Sequence, residues 1–91
     1  MENLIGSPDE VGGNFGCTNS KLKSLKGSPK IVDGHFVCSY NSKLQSIDGF
    51  ETEVNGNFVC YDTPNLSQDE LLKLKESGLI QGDIFSDYGQ I

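Results

Sequence analysis

The stretch Leu22-Lys-Ser-Leu25-Lys-Gly27-Ser-Pro29-Lys-Ile-Val32-Asp-Gly34-His-Phe36-Val-Cys38 decides the fold, because the same pattern precedes and follows it. Seven positions of the pattern recur in three copies, at intervals of 21 and then 22 residues. They form the columns Met1/Leu22/Leu44, Leu4/Leu25/Ile47, Gly6/Gly27/Gly49, Val11/Val32/Val54, Gly13/Gly34/Gly56, Phe15/Phe36/Phe58 and Cys17/Cys38/Cys60. The chain is therefore interpreted as a repeat protein.

A repeat of this length predicts a solenoid in which each coil supplies one short strand and an irregular return segment. In the run Val-x-Gly-x-Phe-x-Cys the named residues alternate with others, so they face the core while the residues between them face outward. The expected fold is a mainly β, leucine-rich-repeat-like solenoid with a parallel sheet of about four short strands. One domain, residues 1–91, would contain repeats at about 1–20, 21–42 and 43–65 and a cap at 66–91.

The cap differs from the repeats by containing a helix. Ser67 and Glu70 have the spacing of a capping box, and Gly78 suits the helix C-terminus. After the helix, the run Ile80-Gln-Gly82-Asp-Ile84-Phe-Ser86 has similar residues at the named positions of Val-x-Gly-x-Phe-x-Cys. This predicts a fourth strand, followed by a tail that is either loose or folded back.

The run from Phe36 through Cys38, Asn41 and Leu44 to Ile47 resembles the leucine-rich-repeat consensus with one residue added. The resemblance places Asn41 where an asparagine side chain bonds to turn backbone, with Ser20 and Thr63 in its place in the neighbouring repeats. Over about residues 1–66 the chain also looks like leucine-rich-like repeat proteins of large tailed bacteriophages. That resemblance leads us to expect a small phage protein that inhibits a host enzyme or a defence factor.

Composition narrows the choice of partners. The chain has 7 Lys and Arg against 13 Asp and Glu, a net charge of −6. Binding to a nucleic-acid backbone needs clustered basic residues, so no nucleic-acid partner is predicted. An acidic surface suits a protein with a basic surface, or serves only to keep the chain in solution. The sequence has neither a signal-peptide pattern nor a long apolar run, so we expect a cytoplasmic protein without a membrane partner.

Two features could carry chemistry, and each has a simpler interpretation. In-register strands would stack the three cysteines, but a straight row differs from the paired ligands of a zinc site, which favours buried reduced thiols. His35 and Asp33 share the outward face without an adjacent nucleophile or cofactor loop. We therefore predict no catalytic residue, metal, cofactor or enzymatic activity.

The predicted binding surface lies on the outward strand face. Its centre is the apolar column, which we define as Val37, Val59 and Phe85. Further residues expected at this protein-binding surface are Tyr61, His35, Asp33 and Asp83. An apolar centre with a polar rim is typical of protein interfaces, and repeat proteins often bind through their strand face. The pattern is equally consistent with ordinary strand propensity, or with a tail that covers the column.

The first strand suggests a second hypothesis. The helix closes one end of the predicted sheet, whereas the Val11–Cys17 strand would lie exposed at the other. Asn14 and Phe15 are the candidate residues for self-association through this edge. The alternative function is thus a structural or assembly module that forms homo-oligomers.

Overall fold

The computed structural model describes residues 4–45, 47 and 50–91, in which short strands form two β-sheets beside one helix. The predicted column members Met1 and Gly49 lie outside the described residues. The strands are β1 (Glu10–Val11), β2 (Phe15–Gly16), β3 (Ile31–Val32), β4 (Phe36–Val37), β5 (Glu53–Val54), β6 (Phe58–Cys60), β7 (Ile84–Ser86) and β8 (Gly89–Gln90). Helix α1 spans Gln68–Ser77.

Successive repeats pair in parallel, in the register that the sequence columns predict. The smaller sheet has the order β1-β3-β5, and the larger has the order β2-β4-β6-β7-β8. Phe15 lies opposite Phe36, Phe36 opposite Phe58, and Phe58 opposite Ile84. The fourth strand is therefore confirmed at Ile84–Ser86, and the larger sheet is mixed because β8 runs antiparallel to β7.

The prediction of one continuous strand per repeat is wrong. In the second repeat the chain bends at Asp33 and Gly34, which separates β3 from β4. The same bend separates β1 from β2 and β5 from β6, so each repeat contributes one strand to each sheet. In the fourth copy the first of these strands is reduced to a single bridge between Val54 and Ile80.

A stack of phenylalanines runs through the core. The ring centroids of Phe15 and Phe36 lie 5.2 Å apart, and those of Phe36 and Phe58 lie 5.4 Å apart with nearly parallel planes. Phe50, which belongs to no repeated column, packs edge-on against both Phe36 and Phe58. Burying each such ring contributes about 2 to 3 kcal/mol through the loss of apolar surface from water.

The glycine column is required by the close approach of neighbouring repeats, not by the core as predicted. Backbone N–H groups of Gly34, Gly56 and Gly82 donate to the carbonyls of Gly13, Gly34 and Gly56 at 2.9–3.0 Å. A Cβ on Gly56 would lie 2.7 Å from the Gly34 carbonyl oxygen and 2.6 Å from His35 Nδ1. Any larger residue would force the two repeats apart.

Asn41 forms the polar centre of the turn, which confirms the interpretation taken from the leucine-rich-repeat pattern. Its side chain is fully buried. Nδ2 donates to the carbonyls of Cys17, Cys38 and Ser39, while Oδ1 accepts the backbone N–H groups of Ser20 and Leu22. In the next repeat Thr63 is buried at this position and donates to the Cys60 carbonyl at 2.8 Å.

The helix is confirmed close to its predicted limits. Ser67 Oγ accepts the backbone N–H of Glu70, and Gly78 ends the helix with a left-handed φ of 81°. The carboxylate of Glu70 also accepts the backbone N–H of Ile47 at 2.9 Å. Helix α1 buries Leu71 and Leu74 against the core.

The tail after β7 folds back as β8. Ser86 Oγ donates to the Gly89 carbonyl, and the Tyr88 hydroxyl donates to the Leu66 carbonyl at 2.7 Å. Strand β8 lies beside β7 at the edge of the larger sheet, with Gln90 opposite Phe85. Strand β8 therefore adds a fifth strand to the larger sheet.

The glycine column supports a matched pair of variants. Gly56→Ala should lower the free energy of unfolding by about 2 kcal/mol, because its Cβ meets the backbone of the preceding repeat. Gly13→Ala should change it by less than about 0.5 kcal/mol, because no atom of the described residues lies within 4 Å of that Cβ. Urea denaturation measures both values, and equal effects would contradict the close-approach explanation.

Candidate functional site

The apolar column lies in register on one face of the larger sheet. Val37 pairs with Val59, and Val59 pairs with Phe85, so their side chains follow one another at the strand spacing of about 4.8 Å. All three are half-buried. In the first repeat the same position is Gly16, which pairs with Val37 and leaves the column without a side chain there.

A ladder of polar side chains runs beside the apolar column, and we call it the polar ladder: Asn14, His35, Asn57 and Asp83. Asn14 Oδ1 accepts the backbone N–H of His35 at 2.8 Å. His35 Nδ1 then accepts the N–H of Asn57 at 2.9 Å, and Asn57 Oδ1 accepts that of Asp83 at 2.9 Å. Each of these three side chains thus binds the next repeat.

The polar ladder changes the interpretation of His35. The side chain is exposed, as predicted, but its Nδ1 already accepts a backbone hydrogen bond. An imidazole that accepts at Nδ1 in this way carries its proton on Nε2. His35 therefore takes the structural part that asparagine takes in the adjacent repeats, while Nε2 lies on the other side of the ring.

The acidic residues of the predicted rim make polar contacts. Asp33 Oδ1 accepts a hydrogen bond from Asn55 Nδ2 at 3.2 Å across neighbouring repeats. Asp83 Oδ1 lies 3.5 Å from Lys75 Nζ, which also donates to the Gly82 carbonyl. Lys75 and Asp83 are partly exposed, and an exposed ion pair of this kind contributes little to stability.

Exposed tyrosines lie at the ends of the larger sheet's strands, and the sequence analysis singled out one of them. Tyr61 is 42 % exposed, while the unpredicted Tyr40 is 58 % exposed. The N–H of Tyr40 donates to the Tyr61 carbonyl, which brings the two residues onto adjacent repeats. Tyr40 has a left-handed φ of 59°, like Asn19 and Asp62 at the equivalent repeat positions. These three positions are 21 and 22 residues apart, so the repeat spacing alone could have indicated that Tyr40 lies in the same turn of each repeat.

The predicted edge is present at β2. In the described part of the chain β2 is the first strand of the larger sheet, and β4 is its only neighbour there. Phe15 is half-buried, whereas Phe36 and Phe58 are completely buried. Asn14 and Phe15 therefore lie at this edge, and Asn14 also begins the polar ladder.

The three cysteines are buried free thiols. Cys17 Sγ lies 3.3 Å from the Val37 carbonyl oxygen, to which it donates. Burial raises the pKa of Cys17 to about 12. Burial also raises the pKa of Cys60 to about 12 and places that of Cys38 well above the usual 9.0. Each thiol thus stays protonated at neutral pH.

Comparison with protein families, curated proteins and solved structures gave no match. In residues 4–45, 47 and 50–91, no three His, Cys, Asp or Glu side chains lie close enough together to hold a metal ion. Over the same ranges, no helix is long and apolar enough to cross a membrane.

Two substitutions of His35 test whether its side chain serves as a hydrogen-bond acceptor for the next repeat. His35→Ala should lower the free energy of unfolding by about 1 kcal/mol, because the Asn57 N–H loses its acceptor. His35→Asn should retain most of the stability, since asparagine serves at Asn14 and Asn57. Urea denaturation compares the variants. ¹⁵N NMR should place the imidazole proton on Nε2, and a proton on Nδ1 would contradict the polar ladder.

The thiols provide a pH-dependent test. Their raised pKa values mean that the unfolded chain ionises first, so their contribution to stability is complete below about pH 9 and declines as the pH rises toward 12. Iodoacetamide should therefore leave the native chain unmodified at pH 8 and alkylate three sites in urea. Mass spectrometry counts the adducts, and rapid alkylation of the native chain would contradict buried thiols.

Proposed function

We propose that this chain is a non-enzymatic protein-binding module, built as a small leucine-rich-repeat-like solenoid. The parallel pairing of residues that lie one repeat apart supports the solenoid interpretation. The binding proposal depends on one observation, the in-register apolar column Val37, Val59 and Phe85 on the outward face of the larger sheet.

The surroundings of the apolar column indicate the kind of partner. Tyr61 at the strand end offers a large amphipathic side chain, and such aromatic residues are enriched at interfaces. Asp83 belongs to the polar ladder beside the column, and Asp33 lies at the bend that precedes β4. The chain as a whole has a net charge of −6. A protein with a basic surface would complement these charges and would be attracted to them over a distance.

The biological setting is part of the same proposal. The resemblance to repeat proteins of tailed bacteriophages supports a phage protein that acts in the host cytoplasm. There it would bind the basic surface of a host enzyme or of a defence factor and so inhibit that protein. The proposal requires no catalytic group, cofactor or nucleic acid.

The alternative proposal is self-association through the edge of β2. It is favoured by the position of β2 at the start of the larger sheet, because an edge strand offers backbone groups for pairing. Since β8 fills the edge of β7 that matches the free side of β2, head-to-tail stacking is blocked and two copies would meet edge to edge around a two-fold axis. In this case the protein would serve as an assembly module.

The strand-face proposal is tested by partner capture with matched variants. Val37→Asp and Val59→Asp place charge on the apolar column, and Leu72→Asp places the same charge on the exposed face of helix α1. Captured proteins should be lost with both column variants and kept with Leu72→Asp, because only the column is proposed to be desolvated by a partner. Quantitative mass spectrometry of bound proteins measures the difference.

Thermal unfolding must first show that each variant is folded at the capture temperature. Binding should also weaken as salt is raised from 50 to about 500 mM, because screening reduces charge attraction to a basic partner. An unchanged set of captured proteins in the folded column variants would refute the strand-face proposal.

A further inference from the structure

The edge of β2 offers a second surface, whose preferred occupant can be read from the chain itself. The equivalent edges of the later strands are all filled: that of β4 by β2, that of β6 by β4 and that of β7 by β6. In each case the two strands are parallel and in register. The interface between repeats therefore defines what would fit on the free side of β2.

The first requirement is space, and it is met at Gly13. A Cβ at Gly34, Gly56 or Gly82 would lie within 2.9 Å of the backbone of the preceding repeat. At Gly13, the first member of the same column, no described atom lies within 4 Å of the equivalent position. The place that a preceding strand occupies in the later repeats is thus open in the described part of the first.

The second requirement is a hydrogen-bond acceptor from the incoming strand. In the polar ladder, the N–H of His35, Asn57 and Asp83 each binds a side-chain acceptor of the preceding repeat at 2.8–2.9 Å. Asn14 holds the corresponding position in the first repeat and is exposed. An incoming Asn, Asp or His side chain would accept the Asn14 N–H in the same geometry.

The third requirement is an apolar side chain over Phe15. Phe36 has the rings of Phe15 and Phe58 as neighbours, and Phe58 lies opposite Phe36 and Ile84. Both are completely buried, whereas Phe15 is half-buried. Beside Phe15 a cleft of about 340 Å³ is also lined by Leu4 and Cys17. An incoming aromatic or aliphatic residue would extend the phenylalanine stack by one member.

We propose that this edge binds an extended strand of another protein, parallel to β2. An Asn, Asp or His of that strand accepts the Asn14 N–H, and the next residue packs its apolar side chain on Phe15. A second copy stacked head to tail is excluded as the occupant, because the matching edge of β7 is paired with β8. The proposal does not depend on the apolar column, so the two can fail separately.

The test uses a peptide with the sequence of residues 53–61, which carries the ladder residue Asn57 and the stack residue Phe58, with C60S to prevent oxidation. Fluorescence anisotropy measures its binding to the full-length chain. A peptide with N57A should bind about fivefold more weakly, which is the value of one hydrogen bond.

Two receptor variants provide the matched comparison. Gly13→Val fills the open space above the bend and should weaken peptide binding by about tenfold or more. Gly12→Val adds the same group at the adjacent position, where later repeats carry Asp33 and Asn55, and should bind within about twofold of the unchanged chain. In the described part of the chain no atom lies within 4 Å of a Cβ at either position, so both variants should unfold at the same temperature as the unchanged chain.

Three results would overturn the proposal. The first is absent peptide binding, or equal binding by Gly13→Val. The second is a dimer in sedimentation velocity that Gly13→Val dissociates, which would assign the edge to a second copy. The third is slow hydrogen exchange of the Asn14 amide in the isolated monomer, which would mean that the chain itself already fills the edge.

Discussion

The structure depends on the close backbone contact between successive repeats at the glycine column. At Gly34, Gly56 and Gly82 the chain approaches the preceding repeat so closely that no Cβ fits. This contact sets the distance at which the phenylalanine rings stack and the strands pair. It also brings each polar-ladder side chain within reach of the next repeat's backbone. A small sequence with low apolar content thus gains many hydrogen bonds from one repeated geometry.

The same geometry divides the residues of each repeat into two groups. Val32, Phe36 and Cys38 face the core, and Asn41 satisfies the buried turn backbone. Residues that face outward are freer to differ, because their side chains do not have to match the neighbouring repeat in shape. The polar ladder is an exception on the outward side, since its members are limited to side chains that accept a hydrogen bond.

The two ends of the larger sheet are chemically different. Strand β8 pairs with the side of β7 that no repeat strand fills, and the Tyr88 hydroxyl donates to the Leu66 carbonyl. A covered edge resists unwanted strand pairing, whereas the β2 side keeps the chemistry of an interface between repeats. In the described residues the sheet therefore ends on a repeat strand, β2, at one edge and on the antiparallel strand β8 at the other.

The sequence by itself determined the repeat register, the fourth strand at Ile84 and the helix with its caps, because these follow from local spacing and residue type. The bonding of Asn41 to turn backbone was implied by the resemblance to the leucine-rich-repeat consensus. Only the tertiary structure decided that each repeat bends into two strands and that His35 binds the Asn57 backbone. It also decided that Phe50 enters the core and that β8 pairs with β7. These features depend on contacts between residues of different repeats or outside the repeated columns. The sequence pattern shows that glycine recurs at this column, but only the distance between the backbones of successive repeats explains why.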